Sequence, residues 1–201
     1  MILPTAYTHP EGTVYVTSFE IVLLQLGYAL SDTTQITLSA TPPLGSEDVI
    51  FLTDLSLKSA FVRDGPVRAA AIGSVSGLMG LEQGNFLLGR VGAVTELCLD
   101  HPCESSVTMG ANALLAGPAV LMVGGAGVIW RLASWGALVV EVDTALPLGR
   151  EAAEFNGIAV IPAFRFPFRT WALDLGVARP LDVDEPVSVL PIVVFSYRFL
   201  P

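Results

Sequence analysis

The chain has 201 residues, of which 52% are hydrophobic and only 14% are charged, against about 25% charged in an ordinary soluble domain. Its net charge of −9, with ten Lys and Arg that form no basic cluster, excludes nucleic acid as a partner. The length suits a single domain over residues 1–201, because no segment has the composition of an interdomain linker.

A membrane environment would explain this apolar composition, but helices are a poor way for this chain to cross a bilayer. A spanning helix needs roughly 18 or more consecutive apolar residues, whereas the apolar stretch Ala113–Trp130 is interrupted by several Gly and a Pro. Apolar residues at three- and four-residue spacing are not sustained over three turns anywhere. Because every backbone polar group must be paired inside hydrocarbon, a closed β-barrel is the remaining way to span.

Alternation of residue character with a period of two is clearest in Trp171–Arg179. Its odd-numbered positions are large and apolar as far as Val177, whereas its even-numbered positions are small or acidic. Residues 35–40 and 137–143 repeat the alternation, with polar or charged residues on one face. In a membrane barrel the apolar face contacts lipid and the polar face lines the lumen.

These patterns predict an all-β protein, a transmembrane antiparallel up-and-down β-barrel of about twelve strands, with ten as the alternative. The predicted strands are Ile2–Thr8, Val14–Ser31, Thr34–Pro42, Leu52–Arg63, Val67–Leu78, Phe86–Cys98, Ser106–Leu115, Val120–Leu132, Gly136–Ala145, Gly157–Phe168, Trp171–Arg179 and Val187–Phe199.

The predicted connections alternate between short and long, except that the connection at Ala116-Gly117-Pro118 is short where a long one would be due. Outer-membrane barrels place short turns on the periplasmic side and longer loops outside. This sidedness requires Ile2–Thr8 as an upward strand and puts His9–Gly12 in an outer loop. The outer loops would then be acidic, which could gather cations, bind calcium between lipopolysaccharide phosphates, or simply keep the loops solvated. Their acidic residues are Glu11, Glu47, Asp48, Glu82, Glu151, Glu154, Asp182, Asp184 and Glu185.

Charged residues on the predicted inner faces are the candidates for lining the lumen and setting its selectivity. Inward charges are costly unless they are paired or hydrated. We therefore expect a network of lumen salt bridges, in either a plugged interior or a narrow water-filled path. The candidates are Asp54, Lys58, Arg90, Glu96, Glu141, Asp143, Arg165, Asp174, Arg179 and Arg198.

Cys98 and Cys103 flank a turn-like stretch, and in an oxidising periplasm they are predicted to form a small structural disulfide. A metal site is the alternative, with His101 between them, but this set lacks a fourth ligand. We expect no metal. The glycine-rich stretch Val123–Val128 lacks both the dinucleotide-binding fingerprint and a following helix, so we also expect no cofactor.

Enzyme activity is not expected. The chain has two histidines, and the predicted topology puts His9 and His101 at opposite ends of the barrel. A hydrolase centred on His101 would have to recruit Glu104 and a neighbouring Ser105 or Ser106, and adjacent residues on a turn rarely reach the required geometry. Glu141 and Asp143 have a spacing that is only superficially similar to a glycosidase pair.

Two stretches resemble a known family. Leu3–Gly12 followed by Leu23–Asp32 resembles the opening of uncharacterised bacterial outer-membrane β-barrel proteins, in which Pro-Thr-Ala and Pro-x-Gly precede an apolar strand ending in Gly-Tyr-Gly-hydrophobic-Thr/Ser-Asp. Phe195–Phe199 resembles the aromatic last strand by which the assembly machinery recognises such barrels. The resemblance implies an outer-membrane location, with lipid bilayer and lipopolysaccharide as surroundings, and implies no activity. This chain differs by continuing to Leu200 and Pro201.

An exported barrel needs a signal peptide, and Met1-Ile2-Leu3 is too short to be one, so we expect the native precursor to begin further upstream. Three functions fit the sequence. The first is a narrow passive pore for small solutes. The second is a closed structural or interaction barrel that presents acidic external loops. The third is a soluble lipid-binding barrel, which would leave large apolar faces in water.

Overall fold

The computed structural model describes residues 5–19, 23–41, 51–79, 86–117, 119–148, 157–181 and 189–199. These residues form a closed antiparallel barrel in which each strand pairs with its neighbours in sequence and the first strand pairs with the last. Its strands are β1 (Val14–Phe19), β2 (Leu23–Ser31), β3 (Thr34–Ala40), β4 (Phe51–Val62), β5 (Val67–Met79), β6 (Phe86–Cys98), β7 (Ser106–Ala116), β8 (Ala119–Ala133), β9 (Gly136–Leu148), β10 (Gly157–Pro167), β11 (Trp171–Pro180) and β12 (Leu190–Phe199).

The predicted fold class and the strand number of twelve are confirmed. Within the described residues, no helix is long and apolar enough to span a membrane. From β3 to β11 the strand ends agree with the sequence prediction to within three residues. The predicted start of the last strand, Val187, lies outside the described residues.

The N-terminal part of the prediction is wrong. Val14–Ser31 is not one strand but two, β1 and β2, paired with each other in the register Val14 opposite Tyr28. A single strand over this range would have been nearly twice the roughly 9–11 residues that a tilted strand needs to cross a bilayer. Residues 5–8 belong to no strand, and the remainder of the predicted first strand lies outside the described residues.

Five short connections lie at one end of the barrel, which we call the tight-turn end: those at residues 32–33, 63–66, 99–105, 134–135 and 168–170. The start of β1 and the end of β12 meet at the same end, because Val14 pairs with Phe199. Two further short connections, at residues 20–22 and 117–118, are at the opposite end. The opposite end also carries the longer connections, most of which lie outside the described residues.

The two faces of the barrel wall differ in the way that the alternation predicts. Large apolar side chains on the outer face are exposed, among them Leu26, Leu57, Val91 and Trp130, each between 48% and 57% accessible. The inner face is mostly polar or small, with several buried Ile and Val side chains, and much of it is buried, as at Thr37, Ser74 and Thr108. A wall that is apolar outside and polar inside is typical of a transmembrane barrel and is the reverse of a soluble one with an apolar core.

Candidate functional site

The lumen is the candidate site, because it collects nearly all of the charged residues that the alternation predicts to point inward. On β4, β6, β9, β10 and β12 the predicted candidates share the parity of the buried residues, as Glu141 does with Val139 on β9. Nine of the ten face the lumen: Asp54, Lys58, Arg90, Glu96, Glu141, Asp143, Arg165, Asp174 and Arg198.

Arg179 is the exception, and its predicted inward position is wrong. On β11 it shares the exposed face with Leu175 and Val177, whereas Asp174 is on the buried face. Arg179 is the last but one residue of the strand, at the end with the longer connections. A long arginine side chain near a strand end can extend to the interface, so a charge there does not have to face the lumen.

Two ion pairs in the lumen confirm part of the predicted salt-bridge network. Arg165 donates two parallel hydrogen bonds to Asp174, from Nε at 2.7 Å and from Nη2 at 2.6 Å, and the Asp174 side chain is only 3% exposed. Arg90 Nη2 lies 3.9 Å from Asp54 Oδ2, where both side chains are more open to solvent. The first pair is a close bidentate contact of the kind that fixes geometry, and the second is a loose one.

Other acidic residues also face inward. Glu141 is fully buried on β9, and Asp143, two residues further along the strand, is partly exposed. Glu96 on β6 is buried and accepts a 3.0 Å hydrogen bond from the Ser106 hydroxyl. The carboxylates are therefore spread over β4, β6, β9 and β11 rather than gathered at one point.

Residues 5–13, which we call the N-terminal segment, turn back into the barrel instead of adding a strand to it. Lys58 Nζ on β4 donates hydrogen bonds to the carbonyl oxygens of Thr5, at 3.1 Å, and Tyr7, at 2.5 Å. Ala6 is 1% exposed and packs with small apolar lumen residues of β4, β5 and β6, including Ala70 and Val94. The segment therefore occupies part of the lumen.

The turn between β2 and β3 anchors the N-terminal segment at the tight-turn end. Thr8 Oγ1 donates a 2.6 Å hydrogen bond to the Asp32 carbonyl oxygen, and Asp32 Oδ1 accepts one of 2.8 Å from the Glu11 N–H. Gly12 has a φ of 81°, a left-handed conformation that suits glycine in the turn leading into β1. This glycine lets the chain reverse from the lumen into the barrel wall.

His9 lies at the tight-turn end too, so the expectation that the two histidines occupy opposite ends is wrong. Its ring packs against those of Tyr15 and Tyr7, with centroid distances of 4.7 and 5.3 Å. Burial, followed by the nearby charges of Arg198 and Lys58, lowers the pKa of His9 to about 4. His9 is therefore neutral at pH 7.

A cavity of about 470 Å³ lies between the N-terminal segment and the barrel wall. A polar network covers part of its lining: Gln35 Nε2 donates to the Tyr15 hydroxyl at 2.8 Å, and this hydroxyl is 2.7 Å from Thr37 Oγ1. The Tyr15 ring lies over Gly27 of β2, where a Cβ atom would come within about 2.0 Å of it. Gly27 is therefore needed for this position of the Tyr15 ring.

The predicted disulfide between Cys98 and Cys103 is confirmed, with the two Cα atoms 4.8 Å apart. It closes the turn between β6 and β7, where hydrogen bonds from Ser105, then Glu104, hold the pKa of Asp100 below its usual range. The alternative of a metal bound by these cysteines is wrong, because both sulfur atoms are used in the disulfide. Within the described residues, no three His, Cys, Asp or Glu side chains are placed to share a metal ion.

The groups considered for a hydrolase are not assembled around His101. Ser106 donates to Glu96 in the lumen, while Ser105 Oγ accepts a hydrogen bond from the Arg131 N–H. The His101 side chain is exposed in the turn and makes no hydrogen bond within the described part of the chain.

Sequence reasoning missed two lumen cations and the N-terminal segment. Arg131 donates to the carbonyl oxygens of Ala133 and Ser134 and lies 3.4 Å from Glu104. Arg68 lies over the ring of Tyr7, 5.8 Å from its centroid. Strand parity would have found both arginines, since each occupies an inward position of its strand.

The predicted acidic outer rim falls almost entirely outside the described residues. Glu11 is the exception, and its predicted position in an outer loop is wrong, because its N–H contacts Asp32 at the tight-turn end. The other eight acidic residues of the rim lie in connections that the structure does not describe.

Comparison with solved structures finds the same fold in outer-membrane barrels. A structure titled "KdgM porin in complex with disordered oligogalacturonate" matches with a TM-score of 0.65 and 9% identity, covering 94% of this chain and 98% of that one. A second KdgM porin structure matches with a TM-score of 0.57 and 7% identity, covering 92% of this chain and 95% of that one. LpxR from Salmonella typhimurium matches with a TM-score of 0.57 and 8% identity, covering 93% of this chain and 99% of that one.

No protein-family model matches the chain, and no curated protein sequence matches it. At identities below 10% the structural likeness shows the fold alone. The chain thus has the barrel fold of the KdgM porin and of LpxR, which confirms the resemblance to outer-membrane barrel proteins at the level of fold.

Proposed function

We propose that the protein is a narrow channel for small solutes in the bacterial outer membrane. The observation that carries this proposal is a closed barrel whose exposed face is apolar and whose inner face is polar, charged and interrupted by a cavity of about 470 Å³. An outer face rich in Leu, Val and Trp is stable in lipid and costly in water. These features favour a membrane pore over a soluble lipid-binding barrel.

A closed structural barrel is the second candidate, and one observation favours it. The N-terminal segment fills part of the lumen, and small apolar clusters such as Ile129, Ala137, Val139 and Ala163 narrow it further. In that case the interior would serve stability, and function would lie in the external loops. Neither candidate needs a catalytic centre, and we propose that the protein is not an enzyme.

Contacts with lipopolysaccharide and with the barrel-assembly machinery remain part of this proposal. The aromatic side chains at the tight-turn end support a membrane interface at that end of the barrel, because aromatic girdles mark membrane interfaces. Trp135, Phe168 and Phe199 are 61%, 46% and 54% exposed there.

The test is single-channel conductance of the refolded protein in a planar bilayer, after heat-dependent gel mobility has shown that the barrel is folded. Steady openings whose conductance scales with salt concentration are expected for the channel. A folded, inserted and silent barrel would contradict the channel and support the structural barrel.

A further inference from the structure

The cavity in the lumen is lined by positive charge. Four cationic side chains from four different strands face it: Lys58 on β4, Arg90 on β6, Arg165 on β10 and Arg198 on β12. Among the described residues that line this cavity, none is Asp or Glu. Its volume of about 470 Å³ falls within the roughly 300–1,000 Å³ that is usual for small-molecule sites.

Two of these four charges are balanced by carboxylates at the edge of the cavity. Arg165 is held by Asp174, and Arg90 lies near Asp54 while its Nε donates to the Ser74 hydroxyl at 3.2 Å. The bidentate contact largely neutralises Arg165, whereas the looser contact with Asp54 balances the charge of Arg90 only in part.

Within the described residues, Lys58 and Arg198 donate their hydrogen bonds to backbone carbonyl oxygens. Lys58 donates to two carbonyl oxygens of the N-terminal segment, and Arg198 Nη2 donates to the Arg169 carbonyl oxygen at 3.1 Å. Within the described part of the chain, neither has a carboxylate within 4.0 Å. The charge of Glu96 on β6 acts on Lys58 from beyond salt-bridge distance. Two positive charges without a direct ion pair therefore face one cavity.

Charges in such a place attract counter-ions, because a narrow cleft lined by one sign of charge concentrates the opposite sign. The neighbouring His9 is consistent with a positive potential here, since Arg198 and Lys58 add to the effect of burial in lowering its pKa. The guanidinium of Arg198 has further N–H donors in a planar fork that fits carboxylate and phosphate oxygens. The Tyr15 and Thr37 hydroxyls add neutral polar groups to the lining.

We propose that this cavity is a binding site for a small polyanion carrying carboxylate or phosphate groups, with Lys58 and Arg198 as its principal ligands. The proposal rests on the proposed channel function, in that it names the class of solute that the lumen accepts. The N-terminal segment forms one side of the site, so a bound anion would lie next to the segment that narrows the lumen.

The test is calorimetric titration of the folded, detergent-solubilised protein with citrate and, separately, with inorganic phosphate at low ionic strength. The variants are Lys58→Gln and Arg198→Gln. The matched control is Arg179→Gln, which removes the same charge from the outer face of the barrel. Arg198→Gln gives an independent result if Lys58→Gln also releases the N-terminal segment.

Saturable binding of at least one anion is expected, and the tighter of the two identifies carboxylate or phosphate as the preferred group. Each lumen variant should weaken binding about tenfold or more, because a hydrogen bond between charged groups is lost. The Arg179→Gln control should bind as the wild type does. The absence of saturable binding, or equal weakening in the control, would overturn the proposal.

Binding in detergent is independent of conductance, so the two proposals can fail separately. A barrel that binds citrate but is silent in a bilayer would contradict the channel and keep the anion site. A conducting barrel that binds neither anion would contradict the anion site and keep the channel.

Discussion

The two ends of the barrel differ in how completely the interior is filled. Near the tight-turn end, inward residues such as Ala29, Ala70 and Thr108 are fully buried, and Ala70 packs with Ala6 of the N-terminal segment. Towards the other end, inward residues such as Asp54 and Asp143 stay partly exposed. Among the described residues, the interior is therefore filled more completely at the tight-turn end, and part of this filling comes from a segment of the chain that does not belong to the barrel wall.

The two lumen ion pairs provide the sharpest contrast between these regions. Arg165–Asp174 lies at the filled end and Arg90–Asp54 in the more open part. Asp174→Asn leaves Arg165 without its buried partner and should lower the free energy of unfolding by about 3–5 kcal/mol. The matched Asp54→Asn should cost about 1 kcal/mol or less. Urea titration of both refolded variants measures this, and equal losses would contradict the contrast.

The disulfide tests whether the tight-turn end is stabilised from outside the lumen as well. Removing the bond between Cys98 and Cys103, five residues apart in sequence, with the double variant to Ser should lower the free energy of unfolding by about 2 kcal/mol. Conductance should stay the same, because the turn that the bond closes lies outside the lumen. A changed conductance would mean that this turn shapes the pore.

Protonation of His9 should have the smallest effect, and it concerns the docking of the N-terminal segment in the lumen. The pKa of His9 is about 4 when docked, against 6.5 for an exposed histidine, so the undocked segment binds more protons between these values. Docking should therefore be constant above pH 6.5 and weaken as the pH falls towards 4. We expect conductance to rise between pH 6.5 and 5 in the wild type and to rise less in His9→Gln. The same rise in both proteins would assign it to other groups.

Much of the barrel wall could be predicted from the sequence, because a period of two translates directly into lumen and lipid faces. That rule placed Asp54, Lys58 and Glu141 correctly. The same rule puts Arg179 on the outer face of the barrel. The wrong prediction of an inward Arg179 came from assuming that every charge faces inward. The rule alone does not fix the register between strands, so it does not show that Arg165 and Asp174 lie directly opposite each other on the adjacent strands β10 and β11.

The N-terminal region could not be predicted for two physical reasons. The connection between β1 and β2 contains no Gly, Pro, Asn or Asp, the residues that usually indicate a turn, so two strands resembled one. The N-terminal segment also carries an alternating pattern, because Ala6 packs on the lumen wall much as a strand residue would. Its contact with Lys58, some 50 residues away in sequence, leaves no local pattern.

The most direct test of this account compares the conductance of the full chain with that of a variant lacking residues 1–9, both refolded and inserted in planar bilayers. Glu11→Gln is the control, since its backbone contact to Asp32 is retained. The account predicts a larger conductance for the shortened chain and an unchanged one for the control. Equal conductance of the full and shortened chains, or silence of both, would contradict a water-filled lumen narrowed by the N-terminal segment.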